Sequence, residues 1–128
     1  MRGRYLMVGL IAATATVSGL GACSHTNEAA GELAPSSAIG LHVRNDNFLD
    51  MDVYAVSDGL ATRLGTVTGN SSRNFVVNAS MAVPDFRIVA TPIGGNGRAS
   101  TGALSVTPGQ TIDFTIGSVL RNSTVFIR

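Results

Sequence analysis

Thr111-Ile112-Asp113-Phe114-Thr115-Ile116 alternates polar and apolar side chains without interruption. Successive side chains of a β-strand point to opposite faces. This period of two therefore predicts a strand with Ile112, Phe114 and Ile116 on a buried face and Thr111, Asp113 and Thr115 on a wet one. Just before it, Pro108-Gly109 fits the central positions of a type II turn, where proline presets φ and glycine accepts the positive φ that follows. Leu104 and Val106 mark a further short strand upstream, and Thr124-Val125-Phe126-Ile127-Arg128 closes the chain as another.

The same rhythm runs back toward the N-terminus. Leu41-His42-Val43-Arg44 alternates, and Met51-Asp52-Val53-Tyr54-Ala55-Val56 places Met51, Val53 and Ala55 on one face. Asp58-Gly59 is a hairpin signal, because a two-residue turn needs positive φ at both positions. Arg63–Val67 would be the returning strand, Gly69-Asn70-Ser71-Ser72 the next turn, and Asn74–Val77 the strand after it. In Asp85–Thr91, Phe86, Ile88 and Ala90 face one way and Arg87, Val89 and Thr91 the other, until Gly94-Gly95-Asn96-Gly97 breaks the run. About eight strands with turn signals roughly every 8–12 residues, and no helical period, predict an all-β fold. The expectation is a small antiparallel β-sandwich, Ig-like or transthyretin-like, of about 7–8 strands over residues 39–128. There is no tryptophan and one cysteine. The core should therefore rest on Phe75, Phe86, Phe114 and Phe126 with aliphatic partners. The last strand is a candidate sheet edge that could recruit a partner strand.

The first 22 residues read differently. Arg2 and Arg4 form a charged start, Tyr5 to Val17 an apolar stretch, and Ser18 to Ala22 a run of mostly small residues. This is the plan of a secretory signal peptide, and the apolar stretch falls short of the ~20 residues of a spanning helix. Leu20-Gly21-Ala22-Cys23 resembles the bacterial lipobox, in which an aliphatic residue and two small ones precede cysteine. The resemblance implies cleavage before Cys23 and a diacylglyceryl group on its sulfur, so that the membrane is a partner through lipid. An ordinary cleaved signal with an incidental cysteine, or an uncleaved anchor, are the other readings. Each buried methylene contributes roughly 0.8 kcal/mol, and two chains hold stably where one is marginal. The lone cysteine fits that use, since it has no partner for an internal disulfide. In the sorting logic of lipoproteins an Asp after the cysteine favours inner-membrane retention, so Ser24 favours the outer membrane where the organism has one. Residues 23–38 then form the acylated cysteine and a small, polar tether.

Charge and composition exclude several classes. Without Arg2 and Arg4 the chain carries seven arginines, no lysine and eight acidic residues. A near-neutral domain lacks the clustered basic charge that nucleic acid requires. Without lysine there is neither a Schiff-base amine nor a Walker-type phosphate ligand. His42 is the one histidine of residues 39–128 and sits on a solvent-facing strand position; no G-x-S-x-G elbow accompanies it. No catalytic residues and no cofactor are therefore expected, and the chain is not read as an enzyme. Gly94-Gly95-Asn96-Gly97-Arg98 follows a strand but precedes no helix, so a hairpin explains it better than phosphate binding.

Asp46, Asp50 and Asp52, with Asn45 and Asn47, are the weak candidates for a cation site, since hard cations need several converging oxygens. Their spacing lacks the EF-hand glycine and glutamate, and turn capping by Asn and Asp is the preferred reading. Tyr54, Arg63, Arg73 and Arg87 are candidate residues of a binding face. The pattern V-R-N…V-Y-A-V…L-G-T-V followed by V-T-P-G-Q-T-I resembles the small β-sandwich lipoproteins of bacterial envelopes, a likeness that implies no specific activity. The functional expectation is a non-catalytic, lipid-anchored envelope module that contacts a partner protein or contributes to an assembly. The alternative is a small-ligand or carbohydrate-binding envelope lipoprotein using the loops at one end of the sandwich.

Overall fold

The computed structural model describes residues 37–128. The signal peptide, the lipobox, Cys23 and nearly all of the tether lie outside the described residues.

The strands are β1 (Ala38–Asn45), β2 (Met51–Ser57), β3 (Leu60–Val67), β4 (Ser71–Asn78), β5 (Arg87–Pro92), β6 (Ala99–Ser100), β7 (Thr111–Ile116) and β8 (Thr124–Ile127). They form two four-stranded sheets, one in the order β4-β1-β7-β8 and one in the order β3-β2-β5-β6. The inward faces of both sheets share one hydrophobic core. The all-β sandwich read from the sequence is the observed fold. Its pairings are antiparallel with one exception: β1 and β7 run parallel, Leu41 beside Ile112 and Val43 beside Phe114. Strands so far apart in sequence are free to pair in parallel, because β2 to β6 supply the long crossover that a tight hairpin cannot.

Alternation does the packing. Ile39, Leu41 and Val43 of β1 are buried, as are Met51, Val53 and Ala55 of β2, Ile88 and Ala90 of β5, and Ile112, Phe114 and Ile116 of β7. The expected turns also form. Asp58 and Gly59 both have positive φ, 53° and 76°, between the paired residues Ser57 and Leu60. Gly109 has φ 88°, and the Gln110 amide donates to the Thr107 carbonyl across the Pro108-Gly109 turn at 3.1 Å. In β3 the register against β2 slips by one residue, with Val53 opposite Gly65 and Tyr54 opposite Arg63, a bulge at Leu64.

Three expectations need correction. Leu104 and Val106 alternate and are buried, yet they form no strand: the Leu104 amide reaches the Phe86 carbonyl at 2.7 Å without building a ladder. The strand in that region is the shorter Ala99–Ser100, paired with Val89 and Ala90. Phe126 is 70% exposed and does not belong to the core. Its register explains this. Phe126 lies opposite Asp113 on the outward side of β7, whereas Val125 lies opposite the buried Phe114. Phe75 is only half-buried, packed against the core's margin, while Phe86 and Phe114 are fully enclosed.

The link from β1 to β2 is held by two buried asparagines. Asn45 is fully buried; its amide nitrogen donates to the Leu49 carbonyl at 2.8 Å and to that of Thr68 at 3.2 Å, and its Oδ1 accepts from the Asn47 amide at 3.0 Å. Asn47 repeats the pattern: its Oδ1 accepts from the Leu49 amide at 3.0 Å and its Nδ2 donates to the Ser118 carbonyl at 2.9 Å. These are two consecutive Asx turns, the local bond that lets asparagine replace a ladder. Gly69 sits so close that a Cβ there would lie 2.3 Å from the Phe48 carbonyl oxygen.

Two expected outcomes follow for equilibrium unfolding in urea. Phe86→Ala costs about 3–5 kcal/mol through lost burial and a cavity, whereas Phe126→Ala stays within about 0.5 kcal/mol. Equal costs would show that Phe126 is packed inside. Asn45→Ala leaves buried carbonyls without donors and costs about 2–4 kcal/mol. A loss under about 0.5 kcal/mol would mean that the asparagine does not organise the crossover.

Candidate functional site

The acidic candidates divide their partners. Asp46 accepts from Arg44 Nε at 2.7 Å, Asp50 accepts from the Gly69 amide at 2.9 Å, and Asp52 accepts from Arg63 Nη2 at 2.7 Å and from the Thr66 hydroxyl at 2.6 Å. Each carboxylate thus works in a different local network. Among the described residues no three His, Cys, Asp or Glu side chains gather as a metal-binding group. Asn45 and Asn47 spend their side chains on the backbone, as turn-capping residues do.

Sequence order and topology instead assemble a surface at one end of the sandwich. Residues 46–50 follow the end of β1; Ile93 follows β5, and Ser118 and Val119 follow β7. The Ile93 amide donates to the Asp50 carbonyl, the Asn70 amide to the Asn47 carbonyl, and Asn47 Nδ2 to the Ser118 carbonyl, each at 2.9 Å. The loops are therefore tied to one another. They carry Phe48, 77% exposed, with Ile93 at 49% and Val119 at 46%. A phenylalanine displayed in water on a loop fixed by buried hydrogen bonds is preorganised, so that any contact it made would order little more of the backbone. Ala38, where the chain enters β1, lies at the other end of that strand, beside the Pro108-Gly109 turn, whose Gly109 amide donates to the Ala38 carbonyl at 2.8 Å. Sequence reasoning missed this surface because its three apolar residues come from three separate loops.

A second candidate lies on the outer face of the β3-β2-β5-β6 sheet. Tyr54, Val56, Val89, Arg87 and Arg98 line a shallow depression of about 500 Å³. Tyr54 and Arg63 are cross-strand neighbours, and Tyr54 also pairs with Val89, so three of the four residues expected on a binding face share this sheet. Arg73 does not join them. It belongs to β4, where its guanidinium stands 5.2 Å over the Phe75 ring and donates to the Thr66 carbonyl at 2.9 Å. Arg87 reaches Asp85 at 3.3 Å.

His42 faces outward from β1 and shares a 2.6 Å hydrogen bond with Asn74 Oδ1. Its neighbour in the β7 register, Asp113, is paired with Arg128. The histidine's contact is thus to an amide and the nearby carboxylate is engaged by a guanidinium. Gly94 to Arg98 form an exposed loop joining β5 to β6.

No protein-family model and no curated protein matches the chain. Among solved structures, a protein from Eubacterium rectale determined by NMR aligns with it at a TM-score of 0.48 and 13% identity, covering 76% of this chain and 94% of its own.

Asp52 supplies a pH test of its cross-strand network with Arg63 and Thr66. The hydrogen bond from Arg63, then that from Thr66, holds its carboxyl below the ordinary carboxylate range, with desolvation opposing them. A carboxyl whose folded pKa is depressed stabilises the fold above its unfolded pKa, and that contribution is lost as pH falls through the folded value. Asp52→Asn is therefore expected to flatten the acid-side fall in stability and leave the neutral-to-alkaline profile parallel to the parent. Thermal melts across the acid range check this; a change confined to alkaline pH would contradict it.

Proposed function

We propose that the chain is a lipid-anchored module of the bacterial cell envelope, acylated at Cys23, whose sandwich makes a non-catalytic contact with an envelope protein. The observation that carries this reading is the locked loop end bearing Phe48, Ile93 and Val119. Exposed apolar residues on loops tied to one another at one end of a fold suit protein contact, and an aromatic residue is well suited to anchor it. The lipobox supplies the other half: the tether leads into the start of β1, and the apolar loops stand at the opposite end of that strand. The outer membrane is the favoured location, from Ser24.

The depression over Tyr54 and Val89 favours a second reading, a small ligand or a carbohydrate held on the sheet face by one aromatic ring and flanking arginines.

The test is in-cell crosslinking and pull-down of the full chain, tagged within residues 27–36, beside Cys23→Ala and Phe48→Asp versions. One specific envelope protein is expected with the parent chain, with at least a tenfold lower yield from Phe48→Asp, on the order of a hot-spot loss. The Cys23→Ala version is expected to lose both the acyl mass and the membrane fraction. Recovery of nothing, or equal recovery with Phe48→Asp, overturns the contact; an unmodified Cys23 in the parent overturns the anchor.

A further inference from the structure

The four sheet edges are not equally guarded. On one side of the sandwich, β3 and β4 are stitched together. Arg73 of β4 donates to the Thr66 carbonyl of β3, and the Phe75 ring lies against Gly65, where a Cβ would meet it at 3.0 Å. The bulge in β3 disrupts that edge further. On the other side, β6 has only two residues. The remaining edge, β8, has four residues, no proline, no bulge and no charge within Thr124–Ile127. Natural proteins usually blunt such an edge with one of those devices.

The hydrogen-bond parity of β8 is fixed by the pair just beyond its end. Thr111 and Arg128 exchange both backbone bonds, at 2.8 and 3.0 Å. In an antiparallel ladder the bonded pairs alternate, so Phe126 and Thr124 also direct their amides to β7. The N–H and C=O of Val125 and Ile127 then point away from it, and among the described residues no strand pairs with them.

This edge is complementary to itself. A two-fold axis through Phe126 sets Val125 opposite Ile127 of a second copy, and both residues of that pair present free amides. It sets Phe126 opposite Phe126 in a non-bonded position, where side chains approach most closely and the Cα atoms lie about 4.5 Å apart. It sets Arg128 opposite Thr124, so no like charges meet, and Arg128 already has Asp113 as its partner.

We propose that β8 pairs antiparallel with β8 of a second copy, joining two four-stranded sheets into one of eight with the Phe126 rings in contact on its outer face. The contact is small, well below the roughly 1,200 Å² of a stable standard interface, so the dimer is concentration-dependent.

Register-specific disulfide trapping tests it. In the full chain carrying Cys23→Ala, kept in mild detergent, Phe126→Cys provides the only thiol and is expected to yield a 126–126 disulfide dimer on mild oxidation. Thr124→Cys places its two thiols roughly 13 Å apart along the strands and is expected to remain monomeric. Equal dimer yields from both, or a crosslink to some other protein, overturn the pairing. Because the cysteine itself removes an aromatic contact, sedimentation of the full chain with Phe126 intact is the second measurement. A dimer that grows with concentration and disappears in Phe126→Glu, with unchanged circular dichroism, supports the proposal; a monomer at every concentration overturns it.

Discussion

A carboxamide with no access to water sits where the chain leaves one sheet for the other. Asn45 is the last residue of β1, on the inward side of the strand, where its predecessors Ile39, Leu41 and Val43 build the core. A polar group in that position costs free energy unless every donor and acceptor is satisfied. It is satisfied only if the backbone at Leu49, Thr68 and Asn47 stands where it does. The requirement therefore fixes the crossover between sheets, and through Asn47 and Ser118 it fixes the turn after β7 as well. Hydrophobic burial holds the two sheets together, but it is indifferent to the path of a loop. The asparagine pair is not.

That constraint also determines what the surface offers. Phe48 lies between Asn47 and Leu49, whose polar groups are both consumed by the scaffold, so its ring is what the loop has left to present. Gly69 allows the β3–β4 turn to press against the Phe48 backbone from behind. The carboxylates nearby are paired locally too, Asp46 with Arg44 and Asp50 with the Gly69 amide.

Much of the sandwich could be read directly from the residues, and the reasons are local. β1, β2, β5 and β7 alternate cleanly because each has one wet face, and Asp58-Gly59 and Pro108-Gly109 announce their turns through φ alone. Where alternation was silent, the reading failed. Val125-Phe126-Ile127 is apolar throughout, so nothing in it says which side faces inward; only the register with Phe114 and Asp113 decides. Leu104 and Val106 alternate because both are buried, but burial does not require a ladder. The parallel pairing of β1 with β7 depends on partners some seventy residues apart, beyond any window of local pattern. The candidate surface was half legible. Asn and Asp were read as turn formers, but that the loops of Phe48, Ile93 and Val119 are tied at one end is a property of topology and not of spacing.

The placement of β1 has a mechanical consequence. It is an interior strand, bonded along its length to β4 on one side and to β7 on the other. A pull applied at Ala38 and resisted through β7 at the Val119 loop runs parallel to β1, so the bonds between the two strands are loaded in shear and share the load together. An edge strand pulled from its end would surrender them one at a time, like a zip. A domain tethered through this strand and gripped at its far loops would sit in the sheet's stiff direction, able to carry tension without being peeled open.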